Sequence, residues 1–406
     1  MKSVDTHLAE VLDGVRPLPP VPVGLDDALG TVLAQDLRAE IDLPVFTSSA
    51  MDGYAVRCAD LERASDRDPV TLPVTGDVGA GTVAPAVEPG SAVRVMTGAP
   101  VPAGADAVVP VEWTDGGVRS VTISRRPAPS ANIRLQGEDV SRGSVVLGAG
   151  AVVDAAAVAL VAAIGASSVT VHRRPRVLIL STGSELVAPG SVLGPAQIFD
   201  ANTAMLVAAV RQVGGEPRQL TAVRDDPDAL VRLLLGALDG VDLVLTTGGI
   251  SVGAHDVVKE ALGVLGTVTF DRVAMQPGKP QGHGVLGPDR VPVLTLPGNP
   301  VSAFVSFQVF VRPVLRRLQG HRDVRSPTVR ARLREPLTSP DGRRQFVRVD
   351  LTNDVAGYVA TPVGGSGSHL VGALARANAL AVVPEHVTQL AAGDEIEVMV
   401  SHVHLW

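Results

Sequence analysis

The sequence predicts a multidomain α/β protein, in which a doubly wound α/β domain is flanked by β-rich segments. From Arg176 to about His321, short apolar runs alternate with amphipathic stretches, a pattern typical of parallel strands and crossover helices. Between Val70 and Arg125, short strands alternate with Gly and Pro turns, and a β pattern returns after His321. We therefore expect an inserted β domain and a terminal β domain around the α/β domain.

The N-terminal region is predicted to be a small mixed α+β unit. Ser3 to Val15 has the spacing of an amphipathic helix, and a stiff Pro-rich link from Pro17 to Pro22 follows it. A short helix is expected over Leu25 to Leu29 and a strand over Thr31 to Leu37.

The β-rich segments have short strands at regular spacing. In the inserted domain these are Leu72 to Gly76, Ala92 to Met96 and Val118 to Ile123. In the terminal domain they are Val329 to Leu333, Gln345 to Val349, Tyr358 to Thr361, Ala379 to Val383 and Glu395 to Val400, with one helix over Val371 to Ala377.

The α/β domain is expected to contain five strands and four helices. The strands are Val177 to Leu180, Gln219 to Val223, Val241 to Thr247, Thr267 to Ala274 and Val291 to Leu296. The helices are Asn202 to Val213, Asp228 to Leu238, one ending near Leu262, and Pro300 to Leu318.

Composition narrows the function classes. A net charge of −7 argues against a general nucleic-acid surface. The single cysteine, Cys58, excludes an internal disulfide and suits a reducing cytoplasm, and we expect it to be a small, semi-buried filler rather than a catalytic thiol.

No membrane partner is expected. Asp5, His7 and Glu10 interrupt the pattern of a signal segment at the start of the chain. The longest uninterrupted apolar stretch, Ala155 to Ala166, has about 12 residues against the roughly 20 needed to span a bilayer. It is predicted to be a buried helix capped by Asp154.

A glycine-rich turn follows one apolar strand. Gly248, Gly249 and Gly253 supply a bend that larger residues would resist, and His255 or Asp256 can cap the next helix. Backbone N–H groups at such a turn attract anions, which indicates a phosphate-bearing ligand.

Four polar loops follow strands of the predicted sheet. They are Ser181 to Glu185, Arg224 to Asp226, Thr246 to Gly253 and Leu296 to Pro300. Because the carboxyl ends of parallel strands share one edge, Glu185, Asp225 and Asp256 should lie close together. Carboxylates beside a phosphate favour Mg²⁺ between them, and Lys279 can counter phosphate charge.

A serine hydrolase is an alternative interpretation. Gly249-Ile-Ser-Val-Gly253 matches the nucleophile-elbow pattern, and Asp271 or Asp289 with His321 could complete a triad around Ser251. An elbow places its serine at the immediate start of a helix, however, whereas here the helix is delayed by several residues.

Seven motifs in a fixed order give the chain a resemblance to a known family. They are Ser49 to Arg57, Val95 to Pro102, Asn132 to Asp139, Ser181 to Leu186, Thr247 to Gly253, Pro277 to Pro280 and Leu296 to Ala303. Together they resemble the molybdopterin molybdenumtransferase family, which includes MoeA and the E domain of the scaffold protein gephyrin. The resemblance covers essentially the whole chain.

The resemblance implies a homodimer of elongated four-domain protomers. The expected domains are a small mixed domain (1–45 and 132–175), an inserted β domain (46–131), a MogA-like α/β domain (176–326) and a C-terminal β-barrel (327–406). The implied activity is insertion of molybdate into adenylylated molybdopterin, with Mg²⁺-dependent release of AMP. Molybdopterin adenylyltransferase and molybdoenzymes would be transient partners.

The resemblance also implies roles for individual residues. Asp52 and Thr97 would reach into the cleft from one protomer, with Arg134 and Asp139 near them. Glu185, Asp225 and Asp256 of the other protomer would hold Mg²⁺. The pocket would be shaped by Gly248, Gly249, Ser251, Gly253, Pro297, Asn299 and Pro300, with Lys279 facing the anion.

The chain departs from the family pattern at three positions. Gln276 stands where relatives often carry a lysine, His255 where an acidic or small residue is usual, and Ser184 where aspartate is frequent. Two other interpretations remain open besides the hydrolase: an adenylyltransferase-like enzyme that uses ATP, and a gephyrin-like scaffold.

Overall fold

The computed structural model describes residues 1–220, 226–250 and 257–400. The chain begins with α1 (Val4–Leu12), β1 (Pro20–Gly24), α2 (Leu25–Ala28) and β2 (Leu37–Arg38). Ser3 caps α1 by accepting a hydrogen bond from the backbone N–H of Thr6. The chain then enters a β-rich excursion.

This excursion contains β3 (Ser48–Ser49), β4 (Gly53–Val56), β5 (Val70–Val78), β6 (Ala92–Val95), β7 (Ala107–Pro110) and β8 (Ser120–Ile123). Five of these strands form one sheet in the order β7-β4-β6-β5-β8. Gly53 is required in β4, because a Cβ there would lie 2.0 Å from the carbonyl oxygen of Val109 on β7.

The returning chain forms β9 (Ile133–Arg134), β10 (Val145–Leu147), α3 (Ala155–Ala163) and β11 (Ser168–His172). Strand β9 pairs with β3 at the start of the excursion, whereas β10 pairs with β2 and β11 with β1, both of which precede it. The excursion is therefore an insertion into a small mixed unit. Asp154 caps α3, as predicted, but the prediction that this helix is buried was wrong, because only Ala157 and Val161 are buried in it.

The α/β region comprises β12 (Arg176–Ser181), β13 (Leu186–Val187), β14 (Ile198–Phe199), α4 (Ala201–Gln212), β15 (Glu216–Gln219), α5 (Pro227–Gly236), β16 (Leu243–Thr247), α6 (Val257–Val264), β17 (Val268–Arg272), β18 (Met275–Gln276), β19 (Pro280–Leu286), β20 (Val291–Leu296), α7 (Pro300–Ser306) and α8 (Arg312–Leu318). A π turn, Phe307–Val311, joins α7 to α8.

Its central sheet has the order β15-β12-β16-β20-β19-β17. The first four strands are parallel and the last two are antiparallel. Successive residues of β12 face opposite layers: Val177 and Ile179 pack with α4 and α8, whereas Leu178 and Leu180 pack with α5 and α6. Burial on both faces explains why these strands are continuously apolar.

The C-terminal region comprises β21 (Thr328–Leu333), β22 (Leu337–Thr338), β23 (Arg344–Asp354), β24 (Gly357–Pro362), α9 (Val371–Arg376), β25 (Ala379–Val383), β26 (Gln389–Leu390) and β27 (Glu395–Val400). The order β23-β24-β21-β27-β25 closes through pairing of β25 with β23. This five-stranded barrel confirms the predicted terminal β domain, and the predicted fold class is confirmed as a whole.

Several helices and strands of the structure differ in position from those predicted. Half of the predicted Pro-rich link belongs to strand β1, which within the described part of the chain pairs with one strand only, β11. Prolines are tolerated in such an edge strand, because its other edge has no partner there that needs their missing N–H groups. The expected strand Thr31 to Leu37 is only isolated bridges before the short β2. The strand predicted at Gln219 to Val223 ends at Gln219, while 221–225 lie outside the described residues. Strand β19 was not predicted.

The described ranges contain no helix that could span a membrane. None of the helices there combines the length and the hydrophobicity needed to cross a bilayer. The exact domain limits given above stay predictions.

Candidate functional site

A cavity of about 800 Å³ lies at the carboxyl ends of β12, β16 and β20. Its walls are the turns after these three strands, the start of α4 and one residue of the C-terminal region, His369. Six of the predicted site residues line it: Glu185, Gly248, Gly249, Pro297, Asn299 and Pro300. The structure thus brings three of the four predicted strand-end loops together.

The turn after β16 depends on its glycines. Gly248 and Gly249 have φ values of 90° and 64°, in the left-handed region that side chains disfavour. A Cβ on Gly248 would lie 2.5 Å from the carbonyl oxygen of Thr182, and one on Gly298 would lie 3.3 Å from the Cα of Gly248. Three turns therefore meet backbone to backbone beside the cavity.

Asn202 on α4 ties two of these turns together. Its side-chain Nδ2 donates to the carbonyl of Gly298 at 2.7 Å and to the hydroxyl of Thr247 at 3.1 Å. The Thr247 hydroxyl in turn donates to the carbonyl of Pro297 at 3.0 Å. The oxygen Oδ1 of Asn202 is buried and has no hydrogen-bond partner within the described chain.

Asp200 fixes the start of α4. Its carboxylate accepts from the backbone N–H of Thr203 at 2.9 Å, from the Thr203 hydroxyl at 2.6 Å and from the Ser181 hydroxyl at 3.1 Å. This cap holds the helix against the end of β12, and so it positions Asn202. Asp200 also lines the cavity.

Glu185 supplies an exposed carboxylate at the cavity wall. It folds over Gly183, where an added Cβ would lie 2.7 Å from Oε2 of Glu185. Within the described residues, the Glu185 side chain makes no hydrogen bond or ion pair. Its oxygens are therefore accessible to a hard cation.

The predicted pair Asp52 and Thr97 lies in the inserted β unit. The backbone N–H of Thr97 donates to Oδ1 of Asp52 at 2.6 Å, and its hydroxyl donates to the same oxygen at 2.8 Å. The Thr97 backbone N–H and then its hydroxyl hold the pKa of Asp52 below the ordinary carboxyl value, so this exposed group stays ionised. Neither residue is among those lining the cavity of the same chain.

Three family models match the chain in sequence order. They are the MoeA N-terminal region (domain I and II) over residues 2–165, the probable molybdopterin binding domain over 178–317 and the MoeA C-terminal region (domain IV) over 330–400. Molybdopterin molybdenumtransferase 2 of Mycobacterium tuberculosis is 46% identical, across 98% of this chain and 99% of that protein. The chain belongs to the molybdopterin molybdenumtransferase family.

Other relatives agree over the same length. Molybdopterin molybdenumtransferase 1 of M. tuberculosis is 38% identical, with 98% of each chain covered. A crystal structure of the molybdopterin biosynthesis MoeA protein from Pyrococcus horikoshii OT3 superposes with a TM-score of 0.85 at 31% identity, across 98% of this chain and 100% of that one. Sequence and fold therefore point to the same family.

The remaining family motifs lie in separate places. Arg134 is exposed on β9 and pairs with Ser48 on β3, and Asp139 is exposed shortly after it. Lys279 is half-buried before β19, and its backbone carbonyl accepts from the N–H of Val273. Its neighbour Pro280 lines the cavity. Four predicted site residues lie outside the described residues: Asp225, Ser251, Gly253 and Asp256.

Gln276, one of the departures from the family pattern, lines a second cavity of about 600 Å³ between the α/β region and the barrel. Its Oε1 accepts from Nη1 of Arg343 at 3.5 Å. A guanidinium thus stands next to the position at which a lysine was expected from the family resemblance.

Cys58 is buried, more deeply than the semi-buried position that was predicted. Burial, followed by the neighbouring Asp106 carboxylate, raises the pKa of its thiol to about 11. The thiolate needed for nucleophilic chemistry is therefore scarce at neutral pH.

Sequence reasoning missed Asp200, Asn202 and His369 as cavity residues. The sequence does contain a helix N-cap signal at Asp200, because this residue directly precedes a run with helical apolar spacing, and Thr203 stands three residues later. For Asn202 and His369 no local signal exists, because their roles depend on contacts with distant turns.

Proposed function

We propose that this protein inserts molybdate into adenylylated molybdopterin with Mg²⁺-dependent release of AMP, and so forms the molybdenum cofactor. One observation carries the proposal: the cavity of about 800 Å³ at the strand ends, in a chain 46% identical to a molybdopterin molybdenumtransferase. Its volume is that of a small-molecule site, which spans about 300–1,000 Å³.

The turns beside the cavity suit an extended, phosphate-bearing substrate. Gly248, Gly249 and Gly298 allow the turns to pack closely against one another, and all three residues line the cavity. Asn299 and Pro300 continue this wall to the start of α7. Lys279 precedes Pro280, which lines the cavity, and we assign to its ammonium group the role of neutralising the negative charge of the substrate.

The donor set fits Mg²⁺. Glu185 offers carboxylate oxygens with no competing partner among the described residues, and oxygen donors are what a hard cation takes. Together with Asp225 and Asp256 it would hold the ion against the substrate phosphates. When bound, Mg²⁺ neutralises charge that develops on the phosphate as AMP leaves.

Asp52 and Thr97 would complete the site from a partner protomer. The hydrogen bonds from Thr97 keep Asp52 ionised and fix its orientation, which suits a group that positions water or accepts a proton. Arg134 and Asp139, on the same unit, would contact the substrate near them. This arrangement requires the homodimer that the sequence predicts.

The direct test supplies the purified protein with adenylylated molybdopterin, molybdate and Mg²⁺. AMP release and activation of a cofactor-free molybdoenzyme, both dependent on molybdate, are expected. Turnover of ATP with free molybdopterin would instead identify an adenylyltransferase-like enzyme. A protein whose Asp52→Ala variant still restores molybdoenzyme activity to a deficient strain would be a scaffold.

Mixed dimers test the shared site. At a fixed Mg²⁺ concentration that half-saturates the wild type, Asp52→Ala and Glu185→Gln chains are each expected to release AMP much more slowly as homodimers. In a mixed dimer, one of the two sites combines intact Asp52 with intact Glu185, so mixing should restore part of the AMP release. Failure of mixed dimers to recover any activity would place both residues in the site of a single chain.

The proposed setting is the cytoplasm. Substrate would arrive from a molybdopterin adenylyltransferase and product would leave to molybdoenzymes, both as transient partners. The acidic net charge of −7 gives no general surface for nucleic acid.

A further inference from the structure

Four metal-ligand side chains meet where the N-terminal helix crosses the edge of the α/β sheet. His7 and Glu10 are three residues apart on α1 and therefore share a face. On the sheet, His283 of β19 lies opposite Thr269 of β17, and Asp271 is two residues further along the same face. One nitrogen or oxygen from each of the four lies within 4.8 Å of the others.

The nitrogen–oxygen distances between these side chains resemble those between the ligands of a metal ion rather than those of hydrogen bonds. Nδ1 of His7 is 3.6 Å and Nδ1 of His283 is 3.8 Å from the same oxygen, Oδ2 of Asp271. The other nitrogen of His283, Nε2, is 3.8 Å from Oε2 of Glu10, and only one of the two nitrogens can bind the ion. All three distances are too long for hydrogen bonds. Donors around a tetrahedral Zn²⁺ are about 3.3–3.6 Å apart, because each bond is about 2.0–2.2 Å long.

Within the described part of the chain, the Nδ1 atoms of both imidazoles lack hydrogen-bond partners. His7 is 1% exposed, and its Nδ1 has no hydrogen-bond partner within the described chain; the buried Nδ1 of His283 also lacks one there. Phe310 packs edge-on against His7 at 4.8 Å and closes the apolar side. These two unpartnered nitrogens are therefore free to bind an ion placed between the four side chains.

We propose that His7, Glu10, Asp271 and His283 bind one divalent metal ion of the Zn²⁺ type, which fastens α1 to the edge of the sheet. Two imidazoles and two carboxylates are a donor set that Zn²⁺ accepts and that Mg²⁺, with its preference for oxygen, does not. None of the four lines the strand-end cavity, so this site is separate from the proposed Mg²⁺ site.

Lys2 is a built-in competitor for the metal. Its Nζ lies 2.5 Å from Oε2 of Glu10 and 2.8 Å from Oδ2 of Asp271, so the ammonium neutralises both carboxylates. The Lys2 backbone is anchored separately, through bonds to Arg272 and Ala274. The side chain can therefore turn towards solvent and yield to a metal without moving the chain.

The test uses the untagged, full-length protein, freed of metal by chelation and titrated with Co²⁺. One equivalent should produce the visible ligand-field absorption of tetrahedral Co²⁺, and Zn²⁺ should displace it and raise the thermal midpoint. His283→Gln, and Glu10→Gln at the more exposed corner of the site, should lose this absorption while keeping their far-ultraviolet circular dichroism. Lys2→Met should bind about tenfold more tightly, since the competing charge is gone.

Two control variants localise the signal. His386→Gln removes an exposed histidine of the barrel, and the pair His402→Gln and His404→Gln removes a His-x-His sequence beyond the described residues. Both control variants should keep the absorption. Absence of stoichiometric Co²⁺ binding to the wild type overturns the site, and so does absorption that survives in both His283→Gln and Glu10→Gln. Each result is independent of molybdate chemistry.

Discussion

The side-chain amide of Asn202 donates to the carbonyl of Gly298 at 2.7 Å, which joins the start of α4 to the turn before α7. The same nitrogen reaches Thr247 at 3.1 Å. Asn202 thus connects two turns that lie 45 and 96 residues after it in the sequence. The shape of the cavity depends on this bond, because glycine turns have few other side-chain contacts.

Replacing Asn202 by Ala should therefore loosen the cavity wall. The Gly298 carbonyl and the Thr247 hydroxyl would each lose a donor, at a cost of about 1–2 kcal/mol in the free energy of unfolding. Substrate affinity should fall as well, since the two turns are no longer held in register. Urea unfolding and the KM for adenylylated molybdopterin measure the two effects.

Asn353→Ala is the matched control for this change. Asn353 is exposed near the end of β23, and its replacement should leave both measurements within about 0.5 kcal/mol of the wild type. If Asn202→Ala behaves in the same way, the amide does not hold the turns.

Glu185→Gln should raise the Mg²⁺ concentration needed for half-maximal AMP release, by about tenfold or more. The substitution keeps the size of the side chain but removes the charge that attracts the cation. Stability should be unaffected, because Glu185 is exposed. Glu397→Gln, at an exposed position of the barrel, is the control, and an unchanged Mg²⁺ dependence in Glu185→Gln would remove this residue from the metal site.

Thr97→Val should move the acid limb of the activity profile to higher pH. The wild-type pKa of Asp52 is depressed by the Thr97 N–H and hydroxyl, so the carboxylate remains ionised until the pH falls below the ordinary carboxyl range. Valine removes the hydroxyl bond and leaves the N–H, so the pKa should rise part of the way towards its ordinary value. The rate of AMP release against pH reports the shift.

The control for Thr97→Val is Thr352→Val, an isosteric change on the exposed face of β23. It should leave the pH profile in place. An acid limb that does not move in Thr97→Val would mean that Asp52 is not the group whose protonation limits the reaction.

Most of the fold could be predicted, because the spacing of apolar residues along the sequence reflects which faces of each helix or strand are buried. The continuously apolar runs at β12, β16 and β20 are buried on both faces, and they were placed to within two residues. Strand β19 was missed because Gly282 and Gly284 interrupt its apolar pattern. Glycine is required at position 284, because a Cβ there would lie 2.1 Å from the carbonyl oxygen of Thr267, just before β17.

The candidate site was only partly predictable for a related reason. Glu185, Gly248 and Pro300 follow strands, so the parallel topology alone brings them to one sheet edge. Asn202 and His369 contribute through side-chain reach across distant turns, which no local pattern encodes. The four-residue cluster around His283 was also invisible, since it requires α1 to pack across the sheet edge.

His321 provides a last prediction, on stability against pH. Burial, and then the charges of Arg316 and Arg312, lower the pKa of this imidazole to about 4 in the folded chain, against about 6.5 when unfolded. The unfolded state therefore binds the proton first as the pH falls. The folded protein should lose stability between about pH 6.5 and pH 4, by roughly 1–2 kcal/mol from this group after allowance for its partial exposure.

His321→Gln isolates that contribution, because glutamine does not titrate. The difference in unfolding free energy between wild type and His321→Gln should shift in favour of the variant as the pH falls from 7 to 4.5, measured by urea denaturation at each pH. His386→Gln, at an exposed histidine, should give a difference that does not change with pH in this way. A constant difference for His321→Gln would show that the imidazole titrates alike in the folded and unfolded chain, and that the arginines beside it do not oppose its protonation.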